Sequence, residues 1–535
     1  MAAREWRGPP REGDEPKPMM HEGEKSDPAI VAAKPANTPE RSGAELVEPR
    51  AGAKENAGQG GAYRTPSREG ASHGLARVRQ AARLMKEERF TALPHHVDVD
   101  RPRAGYLALK REAAPGVAPG VDGVTWADYG QGLEARLEDL HGRIHRGSYR
   151  AQPSRRRFIP KPDGKQRPLG IAALEDKVVQ GALAEVLNAI YEEDFVGFSY
   201  GFRPGRGQHD ALDALWIGID RTAVNWVLDA DIAGFFDAVD HAWLIRFVEH
   251  RIGERRVVRR IRKWLKAGVM DEDGKVTPSG TGTPQGAVIS PLLANIYPHY
   301  VFDLWAHQWR RRHARGAVIL VRYADDIVVG FEHKAEAERF VEDLKGRMAQ
   351  FALVPHPDKT RLIEFGRHAA ASRERRGLGK PETFDFLGFT HIRSRSRSRG
   401  GGFLLRRKSR RDRRQAKLRD LKEELRRRWH EPIPDQGRWL KQGLAGWYND
   451  HAVPTNAPAP SRFRTHVVRL WHRAPRRRSQ KDRTTWETMG KIADRWLPEP
   501  RILHPLPSKR FAVRHPRWEP DALIGHVRFC AGGAQ

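Results

Sequence analysis

Cysteine is all but missing from this chain of 535 residues: there is one, Cys530. A disulfide within the chain is therefore excluded, which suits a reducing compartment. A zinc ribbon or Cys-paired finger is excluded as well, because such sites need several thiolates. Long apolar runs are missing too. No stretch of about 18 apolar residues is present, so no transmembrane helix is expected. The N-terminus carries Glu5 and no apolar segment, so no secretory signal is expected. Acidic residues are in deficit: 67 Asp and Glu stand against 96 Lys and Arg, a net charge of +29. That excess calls for a polyanion, since Lys and Arg release counterions condensed on nucleic acid. An anionic membrane or plain solubility are the weaker alternatives. The abundance of Arg, Ala, Gly and Pro points to a high-GC bacterial genome, and a bacterial cytoplasmic location is expected.

A chain of this length exceeds one compact core, so two or more domains are expected. Residues 1–62 are poor in aromatics and hold 9 Lys/Arg and 11 Asp/Glu. Such a segment cannot bury enough apolar surface to offset its ordering entropy, and residues 1–75 are expected to be a disordered extension. From about residue 76 the pattern is globular. Phe158 and Ile159, then Pro162-Asp163-Gly164-Lys165, then Leu169 and Ile171 predict a hairpin. Val178, Val179, Ala182, Leu183, Val186, Leu187 and Ile190 follow helical spacing. A short strand, Trp226-Val227-Leu228, precedes Asp229-Ala230-Asp231, and a second hairpin runs from Ala317 to Phe331 with Ala324-Asp325-Asp326 at its turn. Mixed strands and helices of this kind give an α+β class.

The C-terminal third differs. Residues 393–428 hold 17 Lys/Arg and 4 Asp/Glu, a net of +13. Leu418, Leu421 and Leu425 mark one face of a helix there. A charge run is often only a solvated face. Its density and single sign favour a phosphate-binding surface, with Arg406, Arg407, Lys408, Arg410, Arg411, Arg413 and Arg414 as candidates.

Asp231 ends an apolar strand, and Asp325 and Asp326 lie between the apolar runs 318–321 and 327–329. Carboxylates at the ends of buried strands are costly unless compensated, and a divalent cation would compensate them. Mg²⁺ takes oxygen ligands and bridges carboxylates to phosphates. Two such ions can serve an in-line phosphoryl displacement. An Asp pair at a hairpin turn is also common for local reasons, because Asp favours turns. The pair therefore needs its surroundings to be read.

Those surroundings resemble the reverse transcriptase family, most closely its group II intron branch. Tyr323-Ala324-Asp325-Asp326 is similar to the catalytic box, and Ala230-Asp231-Ile232-Ala233-Gly234-Phe235-Phe236-Asp237 to the first carboxylate motif. The run from Thr283 to Asn295, Arg167-Pro168-Leu169-Gly170-Ile171, Ser199 to Pro204, and Phe384 to Phe389 resemble the other blocks, in the family's order. Together they cover roughly 105–390. Gly446-Trp447-Tyr448-Asn449, His451-Ala452-Val453-Pro454, Leu470-Trp471, Arg476 to Gln480 and Arg501 to Pro505 resemble the thumb and maturase region of intron proteins. Many relatives continue into an HNH nuclease with paired cysteines. With Cys530 alone, none is expected here.

The resemblance implies a right-hand polymerase: fingers at 76–225, palm at 226–395, a basic helical thumb at 396–465 and a maturase region at 466–535. It implies that Asp231, Asp325, Asp326 and the Ile232 carbonyl hold two Mg²⁺ ions, with Mn²⁺ a possible substitute. Lys161 and Arg167 would meet the incoming triphosphate, Phe236 would face the sugar's 2′ position, and Gln285 and Lys359 would line the nucleotide site. Ser290 could cap a helix that Pro291 begins. Arg203 would contact nucleic acid, and so would Arg206. Arg206, Gln208 and His209 could equally cap the next helix. His95 and His96, with Asp98 and Asp100, are read as a polar linker. The implied partners are group II intron RNA, an RNA template with a DNA primer, and deoxynucleotides, with no membrane. The implied activity is RNA-directed DNA synthesis with a role in splicing. Two alternatives stay open: an RNA-binding splicing factor only, against which the three aspartates argue, and a reverse transcriptase domesticated for host defence or repair.

Overall fold

The computed structural model describes residues 68–514 apart from 98, 113–117, 161–165, 397–400 and 479–483. The expected disorder at 1–75 lies outside these residues as far as residue 67, while residues 68–75 begin the helix Arg68–Leu84 and so depart from that expectation. Lys161, the turn 162–165, Asp98 and Cys530 also lie outside the described residues. Strands and helices are mixed throughout, as the α+β class requires.

Among the described residues, eleven strands form three sheets. In chain order they are β1 (Ser154–Pro160), β2 (Gln166–Ile171), β3 (Trp226–Ala230), β4 (Val269–Met270), β5 (Val276–Thr277), β6 (Val318–Tyr323), β7 (Asp326–Phe331), β8 (Arg361–Glu364), β9 (Phe384–Phe386), β10 (Phe389–Arg395) and β11 (Phe403–Ser409). The sheets run β2-β1-β4-β5, β6-β7-β3-β8 and β11-β10-β9. The middle sheet is antiparallel throughout, with Val321 opposite Val328 and Ala230 opposite Ile327.

Side chains alternate across that sheet, and the alternation divides two cores. Leu228, Ala230, Val318, Leu320, Ile327, Val329 and Phe331 belong to one. They share it with Phe340, Leu344 and Met348 of the helix Lys334–Ala349. Burying each such side chain contributes about 1.5–3 kcal/mol. Val227, Ile319, Val321, Val328 and Ile363 face the other way, toward Leu212, Leu215 and Ile219 of the helix Gln208–Arg221. Burial on both faces explains why β6 and β7 are apolar runs and not alternating ones.

The edge of β6 is closed by the segment 198–200. Arg322 donates its amide to the Phe198 carbonyl at 2.9 Å, and Tyr200 donates to the Arg322 carbonyl at 2.9 Å. Arg322 itself is fully buried. Its guanidinium holds Asp303 through Nε and one terminal nitrogen, at 2.7 and 2.6 Å. It also donates to Ser199 Oγ at 2.6 Å, Asn295 Oδ1 at 3.2 Å and the Ala324 carbonyl at 2.9 Å. Asp303 arrives there from an irregular helix. Pro298 ends the helix Ser290–Pro298, a wide π turn follows at His299–Asp303, and an α-helix resumes at Leu304–His313. A proline has no amide to donate, and the register shift that follows is a recognised way to absorb the loss. Burial works to raise the Asp303 carboxyl; Arg322 and His299 more than offset it and hold it below the usual carboxylate range.

Farther along the chain, the helices Arg411–Arg427, Ile433–His451, Pro458–Arg478 and Trp486–Trp496 pack a separate core. It contains Leu421, Leu425, Leu444, Trp447, Phe463, Trp471 and Met489. Leu418 lies half-buried at its margin, so the leucine spacing does mark the packed face. The last helix among the described residues, Pro507–Arg514, returns to the middle sheet's helix: Arg510 Nε is 2.8 Å from Asp213 Oδ2.

Two expected boundaries cut through sheets. β4 and β5 join β1, so residues beyond 226 complete the first sheet. The antiparallel pairing of 389–395 with 403–409 places 395/396 inside one β-ribbon.

Arg322→Met leaves Asp303 buried with only His299 beside it, and should lower stability by about 3–5 kcal/mol. Arg322→Met with Asp303→Leu should recover much of the loss, because both charges are gone. Urea unfolding of the three proteins checks this; a double variant no more stable than the single one would contradict it.

Candidate functional site: paired carboxylates on the middle sheet

The site is built where β3 and β7 end side by side. Extending their register by one residue sets Asp231 opposite Asp326. Both continue the alternation of Val227 and Val328, so both project toward the helix Gln208–Arg221. Asp231 is 7 % exposed and Asp326 is 4 % exposed. Asp325 occupies the two-residue turn between β6 and β7 with Ala324. Ala324 has φ +58°, a left-handed conformation that costs a non-glycine residue energy and needs outside support. Arg322 supplies one support through the Ala324 carbonyl. Gly201 supplies another by close approach: a β-carbon there would collide with the Ala324 amide nitrogen. Asn295 fixes Gly201 by donating to its carbonyl at 2.5 Å.

Below Asp231 the backbone bridges to the segment after the helix Lys334–Ala349. His356 donates to the Asp231 carbonyl at 2.7 Å and Ala233 to the Val354 carbonyl at 2.9 Å. The intervening Ile232 carbonyl takes no part in that bridge. Lys359 Nζ lies 2.8 Å from Asp231 Oδ2, so an ammonium compensates this buried carboxylate. Burial, then the Asp326 charge, push the Tyr323 phenol up to about 12, so it stays protonated near neutral pH.

Phe235 is buried in the core, while Phe236 is half-buried, with its ring edge-on to Phe202 at 6.2 Å and Phe235 at 5.4 Å. The loop carrying Gln285 is stitched beside it. Thr283 donates to the Phe236 carbonyl at 2.7 Å, and Gly170 of β2 donates to the Gln285 carbonyl at 2.7 Å. Gly286 (φ +104°) must be glycine, because a β-carbon would strike the Gly170 carbonyl. Asp231, Asp326, Phe236, Gln285 and Lys359 are thus drawn into one region. Arg167 pairs with Ile159 in the β1–β2 hairpin, three residues before Gly170 on β2.

Among the described residues, no group of three or more His, Cys, Asp or Glu is gathered closely enough to hold a metal ion. The donor chemistry nonetheless suits a hard cation. Asp231 and Asp326 offer carboxylate oxygens from neighbouring strands, and Asp325 offers a third from the turn. A cationic group already pairs with one of them. His95 and His96 form a short turn, Pro94–His96, in keeping with the linker reading.

Several expected contacts take other roles. Arg203 is 6 % exposed and spends its guanidinium on Glu192 at 3.0 Å and on the Val196 and Ser199 carbonyls, each at 2.8 Å. Arg206 donates to the Gly197 carbonyl at 2.6 Å and lies over the Tyr200 ring. Both arginines hold the 196–200 segment. Gly207 is the helix cap, closed by Asp210, while Gln208 and His209 reach Asp450 and the Asn449 carbonyl. Ser290 does not cap its helix: it stands at the first position and donates to the Pro284 carbonyl at 2.9 Å. On β11, Leu405, Arg407 and Ser409 point inward, and Arg406 and Lys408 outward. Arg407 is 1 % exposed and paired with Asp213 at 3.0 Å. Arg410 is buried against Asp412 at 2.6 Å. Arg406, Lys408 and Arg411 remain exposed, with Arg413 and Arg414 half-buried. The residues that sequence reasoning missed are Arg322, Asp303, Asn295 and Gly201. Arg322 carried a signal, since a charge closing an otherwise apolar run must find a partner.

Comparison with known proteins bears on this arrangement. A model of the family described as reverse transcriptase (RNA-dependent DNA polymerase) matches residues 159–391, a span that includes Asp231, Phe236, Gln285, Asp325, Asp326 and Lys359. Protein YkfC of Escherichia coli is 34% identical over 310 residues, 52% of this chain and 77% of that protein. Group II intron-encoded protein LtrA of Lactococcus lactis is 40% identical over 167 residues, 31% of this chain and 27% of LtrA. An uncharacterized 91 kDa protein in the cob intron of Schizosaccharomyces pombe is 42% identical over 147 residues, 28% of this chain and 18% of that protein. The chain belongs to the reverse transcriptase family, the RNA-directed DNA polymerases. Its relatives LtrA and the intron proteins set it in the group II intron branch of reverse transcriptases and maturases. Among the described residues, no helix is long and apolar enough to cross a membrane.

One buried group behind the Gln285 loop gives a pH test. Asp176 accepts from the Tyr149 hydroxyl and from the Gln152 amide at 3.0 Å. Burial pushes its carboxyl up to about 6, against the lowering effect of those hydrogen bonds. A raised carboxyl pKa means that ionisation costs the folded state. The contribution to stability is fully present below about pH 4 and lost as pH rises through about 6, at about 1.4 kcal/mol for each pH unit between the two values. Asp176→Asn should flatten that fall. Stability of both proteins measured from about pH 4 to 7 decides it; parallel curves would contradict it.

Proposed function

We propose that this chain extends a primer with deoxynucleotides on an RNA template by two-metal phosphoryl transfer, and binds group II intron RNA to assist splicing. The observation that carries the reading is the pairing of Asp231 with Asp326 on one face of adjoining strands, with Asp325 on the strained turn beside them. Asp231, Asp325, Asp326 and the Ile232 carbonyl would hold the ions. Bound Mg²⁺ would lower the charge on the reacting phosphate oxygens and favour ionisation of the attacking hydroxyl. The protein's own part is positioning. The rigid sheet fixes the carboxylates, while Lys359 balances Asp231. The Gly170–Gln285 and Phe236–Thr283 hydrogen bonds hold the Gln285 loop against β2 and beside Phe236. Lys161 and Arg167 would supply cations for the triphosphate.

In this reading fingers, palm and thumb follow the expected order, with the palm extended through β11 to about residue 410. The helical core that follows forms the thumb and the start of the maturase region. Arg406, Lys408 and Arg411 offer exposed charge to RNA at that junction. Splicing assistance follows the relatives named for introns, and there the protein acts as an RNA-binding partner.

Asp325→Ala should abolish primer extension, by at least a hundredfold, with RNA affinity nearly unchanged. The substitution removes an oxygen ligand and no phosphate contact. Extension and filter-binding assays on the purified variant check this; wild-type-like extension would falsify the assignment. Phe236→Ala should raise ribonucleotide over deoxynucleotide incorporation, since the half-buried ring leaves the sugar's flank. Single-nucleotide incorporation measures the ratio, and an unchanged ratio in a folded variant would assign the ring to packing against Phe202.

A further inference from the structure

We infer that the outer face of the helix Arg255–Lys266 is a docking surface for the phosphate backbone of folded RNA, apart from the β11 junction; the inference rests on the RNA-binding reading above. Seven of the twelve residues of this helix are Arg or Lys and none is acidic. Val257, Val258, Ile261, Trp264 and Leu265 are buried and fix its rotation. Arg255, Arg259, Arg262 and Lys266 are all exposed. Their spacing confines them to an arc of about 60°, in a line about 16 Å long.

The orientation is anchored from the flank. Glu254 caps the helix. Arg260 donates to the Ile144 carbonyl at 2.7 Å, Lys263 to the Tyr149 carbonyl at 3.0 Å, and Trp264 to the Tyr149 hydroxyl at 3.0 Å. Those bonds bring the segment 144–150 alongside, with Arg146 and Arg150 exposed on it. Glu249 is bonded to Arg262 at 2.7 Å, and Arg256 on the flank pairs with Glu254 at 3.1 Å. Arg255, Arg259 and Lys266 have no acidic partner among the described residues. Like charges at intervals of four repel and weaken a helix. A solvated helix ordinarily mixes signs; this one does not.

The chemistry selects the partner. A membrane-surface helix needs an exposed apolar face, and here the apolar face is in the core. A protein interface needs an apolar or aromatic centre, and the stripe has none. A rigid row of guanidinium and ammonium groups fits successive phosphates of a preformed backbone.

The test compares wild-type protein with the full-length variant R255Q/R259Q/R262Q/K266Q. Gln keeps helix propensity and none of the four side chains is buried. The probes are a folded group II intron transcript and a short RNA–DNA primer–template. With the transcript, the slope of log affinity against log salt should fall by about 2–3, at about 0.7–0.9 for each lost phosphate contact. Extension at saturating primer–template should stay within about twofold of wild type. An unchanged slope and affinity would overturn the proposal. Equal loss of extension at saturation would also overturn it, by placing the stripe on the polymerase track. Wild-type protein that binds the transcript but cannot extend would remove the polymerase reading while leaving this surface standing.

Discussion

The turn that carries Asp325 depends on one buried ion pair, Arg322 with Asp303. A fully buried guanidinium is tolerable only when its donors are used, and Arg322 uses them on groups from separate parts of the chain. Ser199 comes from the segment closing β6, Asn295 from the helix after the Gln285 loop, and Asp303 from the π turn. The Ala324 carbonyl ties the set to the turn itself. Sequence blocks separated by more than a hundred residues therefore meet at one side chain. The strained backbone at Ala324 persists because this network and Gly201 leave it no room to relax.

Much of this was legible in the sequence, where the signals are local. Apolar residues flanking turn residues placed both hairpins, and 3.6-residue spacing placed the helix Leu174–Asp194, because burial on a helix face selects apolar residues at fixed intervals. The aspartates stood out because they end apolar runs. The resemblance singled out Phe236, and the difference in burial between it and Phe235 is something that spacing does not reveal. The support network was illegible for another reason. Asp303 and Arg322 are 19 residues apart, and a π turn, not any regular period, aligns them.

Charge misled the reading of the basic run at 393–428. Composition counts every arginine alike, but alternation on β11 sends Arg407 inward and Arg406 and Lys408 outward. Arg203, Arg251, Arg322 and Arg407 are all buried structural cations. Arg251, for instance, pairs with Asp194 at 2.8 Å and donates to the Lys86 and Glu88 carbonyls at 2.6 and 2.7 Å, fastening the N-terminal helix Arg68–Leu84. Guanidinium suits such sites because its fixed fork can meet several acceptors at once. The charge available to a polyanion is therefore smaller than the net value, and it is concentrated in stripes that helix and strand geometry define.

Asp213 lies in the middle sheet's helix, yet its two cations, Arg407 and Arg510, lie far downstream. On a ribosome adding about 5–20 residues per second, Arg510 emerges roughly 15–60 s after Asp213. Until Arg407 is made the helix Gln208–Arg221 carries a carboxylate with neither cation, and until Arg510 is made it has only one of the two. The palm can assemble its strands as they appear, but this helix reaches its final electrostatic balance only once Arg510 has been made. Order of synthesis and order of consolidation are thus opposed in this part of the molecule, and the helix Pro507–Arg514 acts as the closing stitch of an early one.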